Sequence, residues 1–130
     1  EVSEGVILTF SEAYALMCQK ICKKYPLAEL FLCTLPNSTS VDGIDKSSFP
    51  ASFNHETEGV ITLQDYNNKI KFIAEAFGAK IIDMNACGLT YFAGGTYLQD
   101  GLHPNIDGAK LLAKQSIRDV INQTKYLINI

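Results

Sequence analysis

The chain has 130 residues, of which 47% are hydrophobic and 19% charged, and its formal net charge is −3. That length suits one domain and not two, with the composition of an ordinary globular protein. No basic cluster exceeds Lys23-Lys24, which argues against a nucleic-acid or anionic-membrane surface. Nor does any apolar run approach the roughly 20 residues of a membrane helix.

The first residues, Glu1-Val2-Ser3-Glu4, lack the basic and apolar regions of a signal peptide. A chain whose first residue is Glu reads as processed or trimmed, so secretion stays open. Cys18, Cys22, Cys33 and Cys87 form no Cys-x-x-Cys pair and read as buried free thiols. That favours a reducing, cytoplasmic compartment. Neither their spacing nor the histidines suggest a metal site.

Residues 1–8 read as a loop or a short extended piece. Thr9-Phe10-Ser11-Glu12 is a capping box, and the helix it opens runs to about Lys24. Phe10, Tyr14, Met17, Cys18, Ile21 and Cys22 recur at helical spacing, and Pro26 ends the segment. The unbroken apolar run Leu30 to Leu35 predicts a strand covered on both faces, as in a parallel sheet. From Pro36 to about Gly59 the chain is long and polar, a candidate lid or a surface insertion. His55 lies there beside Glu56 and Glu58 and reads as a solvated side chain.

A second helix begins near Thr62, with Tyr66, Ile70, Ile73, Ala74 and Phe77 as its buried stripe and Gly78 ending it. Ala79 to Met84 predicts another strand, and Asp83 at its end suits local backbone bonding. Cys87 to Gln99 reads as a second long loop carrying Tyr91, Phe92 and Tyr97, which suit a pocket wall or simple packing. Asn105 is placed to cap the last helix, with Asp107 in its first turn. Ala109, Leu112, Ala113, Ile117, Val120 and Ile121 are expected to face the core.

Between that loop and that helix stands Asp100-Gly101-Leu102-His103-Pro104-Asn105. Gly101 permits a tight turn and Pro104 suits the start of a helix. The turn offers a carboxylate to an imidazole three residues on. A carboxylate that accepts from one ring nitrogen fixes the tautomer and steadies the cation formed when the other takes a proton.

This block, with Ile106-Asp107-Gly108-Ala109 after it, resembles the C-terminal block of the SGNH, or GDSL, hydrolases, Asp-x-x-His-Pro leading into the final helix. Thr9 to Pro36 and Gln64 to Asp83 resemble the helices and strands that precede that block. The resemblance implies the C-terminal part of a flavodoxin-like three-layer α/β/α fold with a parallel sheet. It implies Asp100 and His103 as two members of a Ser-His-Asp triad. The family's Gly-Asp-Ser and Gly-x-Asn-Asp blocks do not occur in the sequence, and none of the eight serines sits in Gly-Asp-Ser or in Gly-x-Ser-x-Gly. Residues 1–130 are therefore expected to form a single incomplete domain that takes its nucleophile from an N-terminal segment outside this chain. The implied activity is hydrolysis of a small carboxylic ester (an acetylated sugar, a short acyl ester or a lipid) without a cofactor. The alternative is a non-catalytic, flavodoxin-like binding fragment. A nucleotide-binding domain is disfavoured because no glycine-rich phosphate loop is present.

Overall fold

A computed structural model describes residues 9–38 and 62–124. Its first helix, α1 (Phe10–Lys24), starts where the sequence supplies a reciprocal cap. The Glu12 amide donates to Thr9 Oγ1 at 3.2 Å, and the Thr9 amide donates to the Glu12 carboxylate at 2.9 Å. These bonds satisfy donors that the helix itself cannot. Strand β1 (Phe31–Cys33) follows, then helix α2 (Leu63–Phe77) and strand β2 (Lys80–Ile82). A second box, Thr62 with Asp65, opens α2, and Gly78 at φ 65° ends it. Only glycine takes that left-handed conformation without strain.

β1 and β2 pair in parallel, with Leu32 opposite Ile81. Both are shorter than the strands expected from the sequence over Leu30–Leu35 and Ala79–Met84. Side chains replace the ladder beyond Cys33 and Ile82. Asn67, fully buried, accepts from the Leu35 amide at 2.7 Å and donates to the Leu35 carbonyl at 3.1 Å. Thr34 Oγ1 donates to Asp83 Oδ1 at 2.7 Å and accepts from the Asn85 amide at 3.1 Å. Asp83 thus joins the two strand ends rather than serving its own turn.

The core is built from Cys18, Leu32, Ile70, Ile73 and Ala74, with Phe10, Tyr14, Leu30, Phe77 and Ile81 packed around them. Burying each large aliphatic chain contributes roughly 1.5–3 kcal/mol. The thiols do not share one fate: Cys18 is buried, Cys22 and Cys87 are half-buried and Cys33 is exposed. Phe31 and Cys33 point away from Leu32 by strand alternation, and so away from the α1 and α2 layer.

After β2 come two short 3-10 turns, Met84–Ala86 and Tyr91–Ala93, then a one-turn helix α3 (Gly94–Tyr97) and the last helix, α4 (Ile106–Gln123). The expected loop over residues 87–99 is therefore partly ordered into turns. α4 corrects a second expectation. Ala109, Ala113, Ile117 and Ile121 are exposed, while Gly108 and Gln115 are its buried residues. The reason lies in the edge of the sheet. Lys80 donates to Leu30 and Ile82 accepts from Thr34, so Ile81 and Asp83 turn their backbone groups away from β1. α4 meets them with polar side chains: Gln123 Nε2 donates to the Ile81 carbonyl at 2.6 Å, and Asp119 Oδ2 accepts from the Asp83 amide at 2.8 Å. Satisfying a buried edge outranks burying the apolar stripe. On the other margin, Phe31 and Cys33 direct their backbone groups outward, and β1 has no second strand partner among the described residues.

Among the described residues no helix is long and apolar enough to cross a membrane. Residues 1–8, 39–61 and 125–130 lie outside the described residues, and with them His55 and nearly all of the polar segment read as a lid or surface insertion.

Candidate active site

The chain reaches the Asp-His turn through a narrow neck. Leu98 and Pro104 form an antiparallel bridge. The Gln99 amide donates to the His103 carbonyl at 2.8 Å, and the Asn105 amide donates to the Tyr97 carbonyl at 2.9 Å. Gln99 Nε2 adds a bond to the Pro104 carbonyl at 3.1 Å. Gly101, at φ 85°, makes the reversal inside this neck.

Within the turn the Asp100 carboxylate is the hub. Oδ1 accepts from the Leu102 amide at 3.0 Å and from the His103 amide at 2.7 Å. Oδ2 stands 2.5 Å from His103 Nδ1. One oxygen therefore shapes the backbone and the other holds the ring. The His103 amide, then its ring, then the Leu102 amide hold the Asp100 carboxyl well below the usual carboxylate range. Asp100 is ionised at neutral pH and can accept from Nδ1. That leaves Nε2 as the nitrogen available for proton exchange. The pair is open to solvent, with side chains 54% and 70% exposed for Asp100 and His103.

The floor of the turn is the start of α4. Asn105 Oδ1 accepts from the Asp107 and Gly108 amides, both at 3.0 Å, which is the helix cap. Its Nδ2 donates to the Thr96 carbonyl at 2.7 Å, reaching back to α3. That second bond was not readable from the residue types. It depends on α3, which sequence periodicity does not announce in four residues. Gly108 completes the seat: a Cβ there would collide with the Tyr97 carbonyl oxygen and stand 3.1 Å from the Pro104 Cβ.

Other candidates sit elsewhere. Phe92 is 88% exposed, and Tyr97 is half-buried in the short helix before the turn. Ser116 donates to the Leu112 carbonyl at 2.9 Å within α4. Two clefts among the described residues, one between α1 and α2 near Ala15 and Phe72, the other near Tyr25 and Phe77, include neither Asp100 nor His103. No three His, Cys, Asp or Glu side chains gather as a metal site among the described residues.

No family model and no curated protein matches this chain. Solved structures do. A protein from Lactobacillus plantarum matches 89% of the chain with a TM-score of 0.73 at 20% identity. A second structure matches 89% of it at 0.71 and 21% identity. A third, designated a GDSL-like lipase from Parabacteroides merdae, matches 90% at 0.57 and 17% identity. This chain spans 55%, 53% and 50% of those three chains respectively. At such identities the likeness speaks to the fold, a mixed α/β architecture that in these proteins is about twice as long.

Proposed function

We propose that this chain carries the Asp-His portion of an SGNH-type serine hydrolase acting on carboxylic esters, within a flavodoxin-like three-layer α/β/α fold. The observation that carries this reading is the contact of Asp100 Oδ2 with His103 Nδ1 at 2.5 Å in a solvent-facing turn. The likeness to a GDSL-like lipase of Parabacteroides merdae agrees with it.

His103 Nε2 takes the proton of a serine hydroxyl as that oxygen attacks the ester carbonyl. Asp100 steadies the imidazolium. The tetrahedral adduct collapses, Nε2 returns the proton to the leaving alcohol, and an acyl-serine remains. Water then attacks the acyl-serine by the same proton path. The substrates that suit this chemistry are an acetylated sugar, a short acyl ester or a lipid. No metal or organic cofactor enters any step.

The serine and the oxyanion donors come from an N-terminal segment of the fold that precedes these residues. Two observations support a seat for it: the outward-facing edge of β1 and the apolar stripe left exposed on α4. A strand parallel to β1 would extend the sheet there, because Gln123 and Asp119 already occupy the far edge of β2.

The test is turnover of p-nitrophenyl acetate by the protein carrying that segment. His103→Ala is expected to abolish it, and Asp100→Asn to lower kcat by roughly 10³–10⁴-fold through the wrong tautomer. The 130-residue chain alone is expected to leave no more than background hydrolysis. Full activity in the His103→Ala protein would overturn the reading in favour of a non-catalytic binding fragment.

A further inference from the structure

A proton-transferring imidazole needs more than a partner for its far nitrogen. Its own backbone has to be held, or the near nitrogen wanders from the reacting atom. In this chain the Asp100 carboxylate holds the ring and the tip of the turn, but it belongs to the same turn and would move with it. Something outside the turn has to fix the whole unit to the fold.

The geometry points to Asn105 as that fixture: a positioning residue that holds His103 in place by joining the two ends of the turn to α3 and α4 at once. For what His103 does, this rests on the hydrolase reading. For the holding itself, it rests on bonds within this chain. Asn105 makes four kinds of contact from one position. Its amide ties the returning strand to Tyr97 at 2.9 Å, and its carbonyl accepts from Ala109 at 2.8 Å. Its side-chain oxygen caps α4, and its side-chain nitrogen reaches Thr96 at 2.7 Å. His103 lies two places before it, on the tip side of the bridge between Leu98 and Pro104.

Gly108 is the complement of this arrangement. The Tyr97 carbonyl that accepts from Asn105 occupies the space where a side chain at position 108 would sit. The first turn of α4 can therefore press directly against the end of α3. Sequence alone gives Asn105 one role, as a cap. The bond to Thr96 gives it a second role that Asp or Ser, equally good caps, cannot fill. An Asp carboxylate has no hydrogen to donate, and a Ser hydroxyl is too short to cap and reach Thr96 together.

That difference makes the test. Asn105→Asp and Asn105→Ser are made in the 130-residue chain, with Asn122→Asp, an exposed position on α4, as a charge control. Far-UV circular dichroism reports whether α4 is retained, which the preserved cap predicts. Nitrogen-15 NMR of the His103 ring at pH 8 reports the tautomer and the solvent exchange of the Nδ1 proton. In the unaltered chain that proton is expected to be protected on Asp100. Both Asn105 variants are expected to exchange it about tenfold faster, on the scale of one hydrogen bond lost, and to mix the two tautomers. Asn122→Asp is expected to match the unaltered chain. Exchange within twofold of the unaltered chain in both variants would overturn the proposal and leave the hydrolase reading standing. So would a change in Asn105→Asp alone, which would be an effect of charge. An unaltered chain with no protected Nδ1 proton would overturn the proposal and the Asp-His pairing together.

Discussion

Gln123 Nε2 donates to the Ile81 carbonyl at 2.6 Å, and one helical turn earlier Asp119 Oδ2 accepts from the Asp83 amide at 2.8 Å. Side chains four residues apart on α4 thus do for the edge of β2 what a third strand would do. The consequence is a cost when either is removed. Asp119→Ala is expected to destabilise the fold by about 1–3 kcal/mol, because the Asp83 amide loses its acceptor in a partly buried place. Gln115 also donates to Asp119 at 2.8 Å and would be left with one partner fewer. Urea unfolding of the variant measures this, and a change under about 0.5 kcal/mol would show that water replaces the carboxylate freely.

Asn67 performs the corresponding service at the end of β1. It is buried, and both of its side-chain groups are given to the Leu35 peptide. Asn67→Leu keeps the branched outline, adds volume and removes both bonds, leaving the Leu35 amide unpaired and its carbonyl with the longer 3.4 Å bond from Asn85 Nδ2. The expected loss is roughly 2–4 kcal/mol, against less than about 0.5 kcal/mol for Asn68→Ala on the exposed side of the same helix. Paired denaturation curves decide between them.

The Asp100 turn carries its own dependence on pH. The carboxyl is lowered from its ordinary 3.8 by the His103 amide, the His103 ring and the Leu102 amide. A lowered carboxyl contributes stability that is fully present above the ordinary value and is lost as pH falls through the folded one. The turn is therefore expected to hold unchanged from neutral pH down to about 4 and to loosen only in stronger acid. Carbon-13 NMR of the Asp100 carboxyl should titrate below 3.8, and the Leu102 and His103 amides should lose protection over the same range. Asp100→Asn, which has no such titration, should show flat amide protection with pH.

Much of this architecture was legible because it is written in local chemistry. Thr9 with Glu12 and Thr62 with Asp65 mark their helices by reciprocal bonds between residues three apart. Gly78 marks an end because its backbone angle excludes most side chains. Asp100 and His103 are likewise neighbours in sequence, so a turn alone brings them together. What was not legible depends on distant partners. Asn67 meets Leu35 across 32 positions and Gln123 meets Ile81 across 42, and neither pairing leaves a periodic trace. The same distance effect misplaces the faces of α4. Its apolar residues follow helical spacing faithfully, yet spacing cannot say which face a sheet edge will demand.

That inversion gives the sharpest test of α4. Ile117 and Ile121 are 61% and 54% exposed, and Ile106, at the start of the same helix, is 76% exposed. Were they core residues, replacing them by Glu would bury unpaired charge and unfold the chain. With most of each side chain in water, the double variant Ile117→Glu, Ile121→Glu is expected to change stability by no more than about 0.5–1 kcal/mol. Ile117 lies in the body of the helix, where Glu is a good helix former, and Ile121 in its last turn, where Glu meets the negative end of the helix dipole at a small cost included in that figure. A second effect should be larger. An apolar stripe left in water draws copies of a chain together, and charge on it opposes that association. Sedimentation velocity of the 130-residue chain should show self-association that grows with concentration. The double variant should stay monomeric over the same range, with its urea midpoint nearly unmoved. A collapse of the urea midpoint instead would place these isoleucines inside, and α4 would have to turn its polar face outward.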